Sequence, residues 1–178
     1  MWMICATAAL VATLSIGLLE PAQALASCVL GGTMLAIAVS DLRRFVIPDV
    51  LSLPAIPAGL LATGWLTADT ASHTAILQHT AAMLVGAASF YIIGKVYRRV
   101  RGRVGLGLGD VKLVAVAGAW NGPEGLSLTI LIACIGAMVY VMARMLGANW
   151  KISGTTAIPF GAFLAPAIWL TWILVRAA

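Results

Sequence analysis

Charge is what this chain has least of. Asp, Glu, Lys and Arg make up 10% of its 178 residues, against 62% hydrophobic residues, whereas soluble domains carry about 25% charged residues. One water-soluble core cannot hide so much apolar surface, so lipid must be the solvent for much of it. Paired cysteines are missing too. Cys5, Cys28 and Cys134 stand alone, each inside an apolar run, which excludes a C-x-x-C zinc or redox site; they read as small buried hydrophobes. Serines and histidines do not cluster. No Lys or Arg precedes the first apolar run, residues 1–19, although Ala22-Gln23-Ala24 follows it as an A-x-A cleavage pattern would. A secretory signal normally has a basic start, so this run is expected to stay as a first helix.

What is abundant is uninterrupted apolar sequence. Residues 1–19, 22–40, 50–68, 70–94, 125–143 and 152–175 contain no Asp, Glu, Lys or Arg, and each reaches the roughly 18–20 residues that a helix needs to cross hydrocarbon. A seventh, shorter stretch at about 104–121 carries Asp110 and Lys112 near its start. Backbone groups in lipid must be satisfied internally, and no period-2 alternation suggests a barrel. The expected fold is all-α: a polytopic transmembrane helix bundle of six to seven spans, one membrane-embedded domain over residues 1–178.

The net charge of +5 does not point to nucleic acid, because of where the cations sit. With the N-terminus in the cytoplasm and seven alternating segments, the cytoplasmic loops collect Arg43, Arg44, Lys95, Arg98, Arg99, Arg101, Arg103, Lys112, Arg144 and Lys151, ten of the eleven basic residues, leaving Arg176 outside. That is the positive-inside pattern, with lipid headgroups as the expected partner. Trp65, Trp120, Trp169 and Trp172 fall near the far ends of spans, where aromatic belts sit. Glycine is frequent, at 18 residues, which permits close helix packing.

Six acidic residues remain: Glu20, Asp41, Asp49, Asp69, Asp110 and Glu124. Glu20, Asp69 and Glu124 fall in the loops assigned outside. Asp41, Asp49 and Asp110 fall at the cytoplasmic edge, and ionisable groups at membrane depth are suspect as functional. Asp41 ends a charge-free helix before the break at Ile47-Pro48; its plain alternative is a pair with Arg44 at i+3. Pro48 disfavours helix at Ile47, and Asp49 is expected as an N-cap of the next helix. In Gly105-Leu106-Gly107-Leu108-Gly109-Asp110-Val111-Lys112, glycines at every second residue resist helix and allow close backbone approach. The plain alternative there is a flexible linker ending in an Asp cap. Lys112, two residues on, is expected to point away and reach toward headgroups. Together Asp41 and Asp110 suit aspartic chemistry, in which one carboxylate activates water and a carboxylic acid protonates the carbonyl oxygen and then the amine. Such a pair shares a proton and titrates as a unit. No cofactor and no metal is expected.

These residues resemble the prepilin peptidase family (type IV leader peptidases, G-x-G-D aspartic proteases). The likeness rests on Asp41 with Ile47-Pro48-Asp49, on Gly107-Leu108-Gly109-Asp110-Val111-Lys112-Leu113, and on Ile158-Pro159-Phe160-Gly161 in the last span, and covers about residues 24–176. It implies that Asp41 and Asp110 are the catalytic pair, that Pro159 and Gly161 open or kink the last helix near the substrate, and that prepilin-like proteins lose their leader at the cytoplasmic face of a bacterial inner membrane. Larger members carry an added cytoplasmic domain, often with paired cysteines, and N-methylate the product. This chain resembles the short form serving Tad/Flp-type pili, for which methyl transfer is not expected. A presenilin-like reading lacks its P-A-L motif here. A transporter or pilus-assembly protein using the aspartates as an ion site is the alternative, but the inverted repeats common in transporters are not seen.

Overall fold

The computed structural model describes residues 2–67, 72–147 and 158–177, without the side chains of 2–4. Asp69 and Lys151 lie outside them. The described residues form six helices and no strand: α1 (Trp2–Leu18), α2 (Pro21–Arg44), α3 (Asp49–Leu66), α4 (Ser72–Arg101), α5 (Leu108–Leu146) and α6 (Gly161–Ala177). α2 to α5 are long and apolar enough to cross a membrane; α1 and α6 are shorter apolar helices. The all-α bundle is therefore as expected.

α5 accounts for the difference between six helices and seven segments. Its 39 residues would extend about 58 Å if straight, roughly twice the hydrocarbon thickness. It breaks at Gly122, which sits at φ 64°, ψ −169°, a conformation open to glycine and strained for other residues. Pro123 follows and has no N–H to continue the ladder. The chain folds back there. Asn121 Nδ2 donates to Thr129 Oγ1 at 2.9 Å, although eight residues of straight helix would separate them by about 12 Å. Gly86 of α4 likewise lies beside both Val114 and Leu126. The two limbs correspond to the expected segments at about 104–121 and 125–143.

The first limb is the centre of the bundle, with every residue from Leu113 to Gly122 buried. A helix that is apolar all round belongs inside. α4 and the second limb lie along it, α6 packs between it and α2, and α3 closes the side next to α4. Leu30, Met34 and Ile37 of α2 and Leu164 and Ile168 of α6 complete the core. α1 joins α2 through a buried Ser15–Ser27 hydroxyl pair at 2.7 Å.

Two side-chain expectations are corrected. Trp120, Trp169 and Trp172 are buried rather than in an aromatic belt. The Trp120 indole N–H donates to Ala55 O at 2.7 Å, that of Trp169 donates to Ser27 Oγ at 3.0 Å, and Trp120 meets Trp172 edge-on at 6.2 Å. Their large rings fill the space that small residues on neighbouring helices leave open, so interior packing outweighs interfacial preference. Trp65 alone of the four is exposed. Cys5 and Cys134 lie on the outer surface, not in the core, and Cys28 is half-buried; in lipid an outward thiol has no burial cost to avoid.

The helix order places Asp41, Arg43, Arg44, the Lys95–Arg103 cluster, Asp110, Lys112 and Arg144 at one end of the bundle, with Arg176 at the other. α4 and α5 approach closely at Gly118, where a Cβ would fall 2.5 Å from Met83 Cα. Gly118→Ala is expected to lower stability by about 1–3 kcal/mol through overpacking, read as a lower melting temperature in detergent. Gly32→Ala, whose Cβ meets nothing within 4 Å, is expected to leave it unchanged or higher.

Candidate active site

The last turn of α2 brings Asp41 to the end of the bundle. The chain then leaves the helix through Phe45, in the left-handed region at φ 53°, and Ser40 Oγ donates to Val46 O at 2.8 Å, closing the turn. Asp41 is 6% exposed. Its Oδ2 accepts the Ala162 N–H at 2.8 Å. This amide belongs to the first turn of α6. A helix start leaves its first N–H groups unpaired and carries partial positive charge, so a carboxylate and a helix terminus satisfy each other here. The plain alternative for Asp41 is corrected: it forms no ion pair with Arg44, because α6 supplies its donors.

Gly161 is the condition for this contact. A Cβ there would lie 3.0 Å from Asp41 Oδ2 and 2.8 Å from Ile47 Cδ1, inside van der Waals distance of both. Pro159 is buried just ahead of the helix, and its carbonyl accepts the Ala162 N–H at 3.2 Å. Pro159 and Gly161 thus begin α6; they do not kink its interior, where the proline is Pro166. Proline fits a helix entrance because its missing N–H is not needed there.

Asp110 sits in the first turn of α5, whose N-cap is Gly107. It is not the cap, as the linker alternative supposed. Its Oδ2 accepts the Gly107 N–H at 3.2 Å, the reciprocal half of a capping box. Gly109 faces Ile47: a Cβ at 109 would fall 2.8 Å from Ile47 Cδ1. The same methyl group therefore abuts Gly109, next to Asp110, and Gly161, next to Asp41. Ile47 is the spacer between the two acid-bearing helix ends. Asp110 remains half-exposed.

Asp49 and Lys112 differ most from expectation. The N-cap of α3 is Pro48, without a side-chain cap bond. Asp49 is the first helical residue, and its Oδ1 pairs with Lys112 Nζ at 2.5 Å. Lys112 therefore turns to α3, not to headgroups, because the first turns of α3 and α5 lie side by side. Its offset of two positions from Asp110 puts it on another face of α5, the one that meets α3. Sequence reasoning named Ile47 only as part of a motif, not as a spacer, and did not find Ala162 or this cross-helix pair. Ile158-Pro159-Phe160-Gly161 hinted at a helix start, but nothing in the sequence told which side chain the start would receive. Among the described residues no group of three or more His, Cys, Asp or Glu could hold a metal ion.

Such a site can move protons. Two carboxyl groups from different helices, one buried and one open to the surroundings, are each held by main-chain N–H groups, and one could take a proton from a bound water while the other gives one to a peptide carbonyl oxygen.

Comparison with known proteins gives the same direction. Residues 28–142 match the profile of the type IV leader peptidase family. The prepilin leader peptidase/N-methyltransferase of Pseudomonas aeruginosa is 36% identical over 154 residues, 83% of this chain and 49% of that protein. The protein of the same name from Burkholderia pseudomallei is 35% identical over 147 residues, covering 80% and 44%, and that from Xanthomonas campestris is 30% identical over 157, covering 84% and 50%. The chain spans about half the length of these curated relatives. No solved structure matches it.

The Asp49–Lys112 pair is 58% and 30% exposed, so its direct worth is expected to be small. A double-mutant cycle with Asp49→Ala and Lys112→Ala, read from unfolding midpoints, should give a coupling of about 0.2–1 kcal/mol; a value near zero would mean that the pair does not hold α3 to α5.

Proposed function

Because the chain belongs to the type IV leader peptidase family, we propose that it is a membrane aspartic endopeptidase that removes the leader from prepilin-like proteins, with Asp41 and Asp110 as its catalytic pair. The observation that carries this reading is the meeting of the two carboxyl-bearing helix ends around Ile47. One carboxylate takes a proton from water as the oxygen attacks the scissile carbonyl carbon. The other, protonated, gives its proton to the carbonyl oxygen. The tetrahedral diol then collapses, the C–N bond breaks, and the amine leaves with a proton from the pair. The main-chain donors from Ala162 and Gly107 orient the carboxyls without side chains that could compete for the protons.

The gathering of basic residues beside the two aspartates supports a cytoplasmic placement of this end, in an inner membrane. Asp49 and Lys112 support the first turns of α3 and α5, and Gly107, Gly109, Pro48, Pro159 and Gly161 shape the backbone around the acids. Methyl transfer, the second activity in the relatives' name, is not part of this proposal.

The test is leader removal from a purified prepilin-like substrate in detergent. Asp41→Asn and Asp110→Asn should each reduce the rate by about 10²–10⁴-fold, the usual worth of a general acid or base. Full cleavage by either would overturn the pair. Asp49→Asn should cost less than about tenfold, since an exposed ion pair contributes at most about 1 kcal/mol. The rate of the wild type should trace a bell in pH whose two limbs belong to the pair as a unit; a single sigmoid would count against a shared acid and base. Gly161→Val should abolish cleavage with the chain still folded by circular dichroism, because its side chain occupies the space that Asp41 and Ile47 use.

A further inference from the structure

At the opposite end of the bundle, a cavity of about 330 Å³ opens between the first turn of α2, the second turn of α4, the ends of α3 and α6, and the bend in α5. Its polar lining is Gln23, Thr67, Gln78, His79, Asn121, Glu124 and Arg176, an unusual density for a chain with six acidic and eleven basic residues in all. None of it serves the proposed catalytic site.

The groups divide by sign. Asn121 is 6% exposed; its Nδ2 is committed to Thr129 Oγ1 at 2.9 Å and Ile168 O at 3.1 Å, while its Oδ1 is buried with no partner. That oxygen can only accept. Glu124, three residues on, is a second acceptor. Arg176 supplies the opposite charge. Its guanidinium stacks on Trp172 at 4.2 Å and forms no ion pair with Glu124, and stacking uses the planar face while the N–H groups at the rim stay available. His79 is fixed through Nδ1, which lies 2.9 Å from Ala119 O; because that carbonyl only accepts, Nδ1 carries the proton and Nε2 is turned to the Gly122 bend. Acceptors without a donor and a cation without an anion share one cavity.

We propose that this cavity binds a zwitterion of the phosphoethanolamine type, with its phosphate on Arg176 and its ammonium on Asn121 Oδ1 and Glu124. The source is a membrane lipid: Val175, which lines the cavity, is exposed, as are Trp65, Leu77 and Leu174, each next in sequence to a lining residue, a surface against which acyl chains would lie. A phosphatidylglycerol headgroup brings hydroxyl donors but no cation to meet the Glu124 carboxylate, and a cation alone would leave Arg176 without an anion.

The full chain, reconstituted in nanodiscs of equal parts phosphatidylethanolamine and phosphatidylglycerol, would be released into detergent and its retained lipid measured by native mass spectrometry. The wild type should retain phosphatidylethanolamine in preference by about tenfold. Arg176→Gln and Glu124→Gln should each bring the ratio close to one; Glu124 is exposed, so its replacement leaves the fold intact. Free phosphoethanolamine should displace the retained lipid. No preference in the wild type, or an unchanged preference in both variants, would overturn the proposal. So would phosphoethanolamine raising the melting temperature of lipid-free protein while no lipid is retained, which would assign the cavity to a soluble zwitterion. The readout does not involve Asp41 or Asp110, so it stands or fails apart from the peptidase reading.

Discussion

A carboxylate in an apolar bundle needs donors, and the first amides of an apolar helix need acceptors; at Asp41 each is met by the other. The Ala162 N–H bond to Asp41 joins the end of α2 to the beginning of α6, and much else depends on it. It requires a residue without a side chain at 161, because a Cβ would collide with the carboxylate. It draws α6 between α2 and the first limb of α5, where Leu164 and Ile168 fill the core. It also settles how an acid can be buried in an apolar protein. Isolated charges at membrane depth are costly, and dipoles that are already fixed by helix geometry offset that cost without a counter-ion.

Ile47 organises the second half of the site by volume instead of by bonds. It precedes a proline, so it sits outside the helices, and its Cδ1 methyl reaches two glycines on two different elements. A smaller side chain would let the helix ends approach, and a larger one would part them. The pair Asp49–Lys112 adds a tether from α3 to α5. Three helix beginnings and one helix end therefore converge, held by main-chain amides, one methyl group and one ion pair.

Much of this could be read from the sequence, and the rest could not, for identifiable reasons. Charge-free runs and the spacing of basic residues disclosed the helices, because hydrocarbon imposes length and polarity on any span. Asp41 and Asp110 stood out because charges are rare where they occur. The tryptophans misled: position near a span end suggested a belt, but whether an indole faces lipid or the interior depends on small residues in other helices, such as Gly59 beside Trp120. Asp49 looked like a cap from its place after Pro48, and its true partner, Lys112, is 63 residues away. Local pattern carries local geometry. Contacts between distant segments leave almost no local trace.

The donor that holds Asp41 is a main-chain group. Any residue small enough for position 162, which is buried, presents the same N–H, and among the twenty amino acids proline alone would delete it. Alanine scanning therefore passes over this contact, since the residue is already alanine, and a comparison of side chains among relatives would register no constraint there beyond small size. The genetic record of the interaction lies one position earlier, in the missing side chain of Gly161.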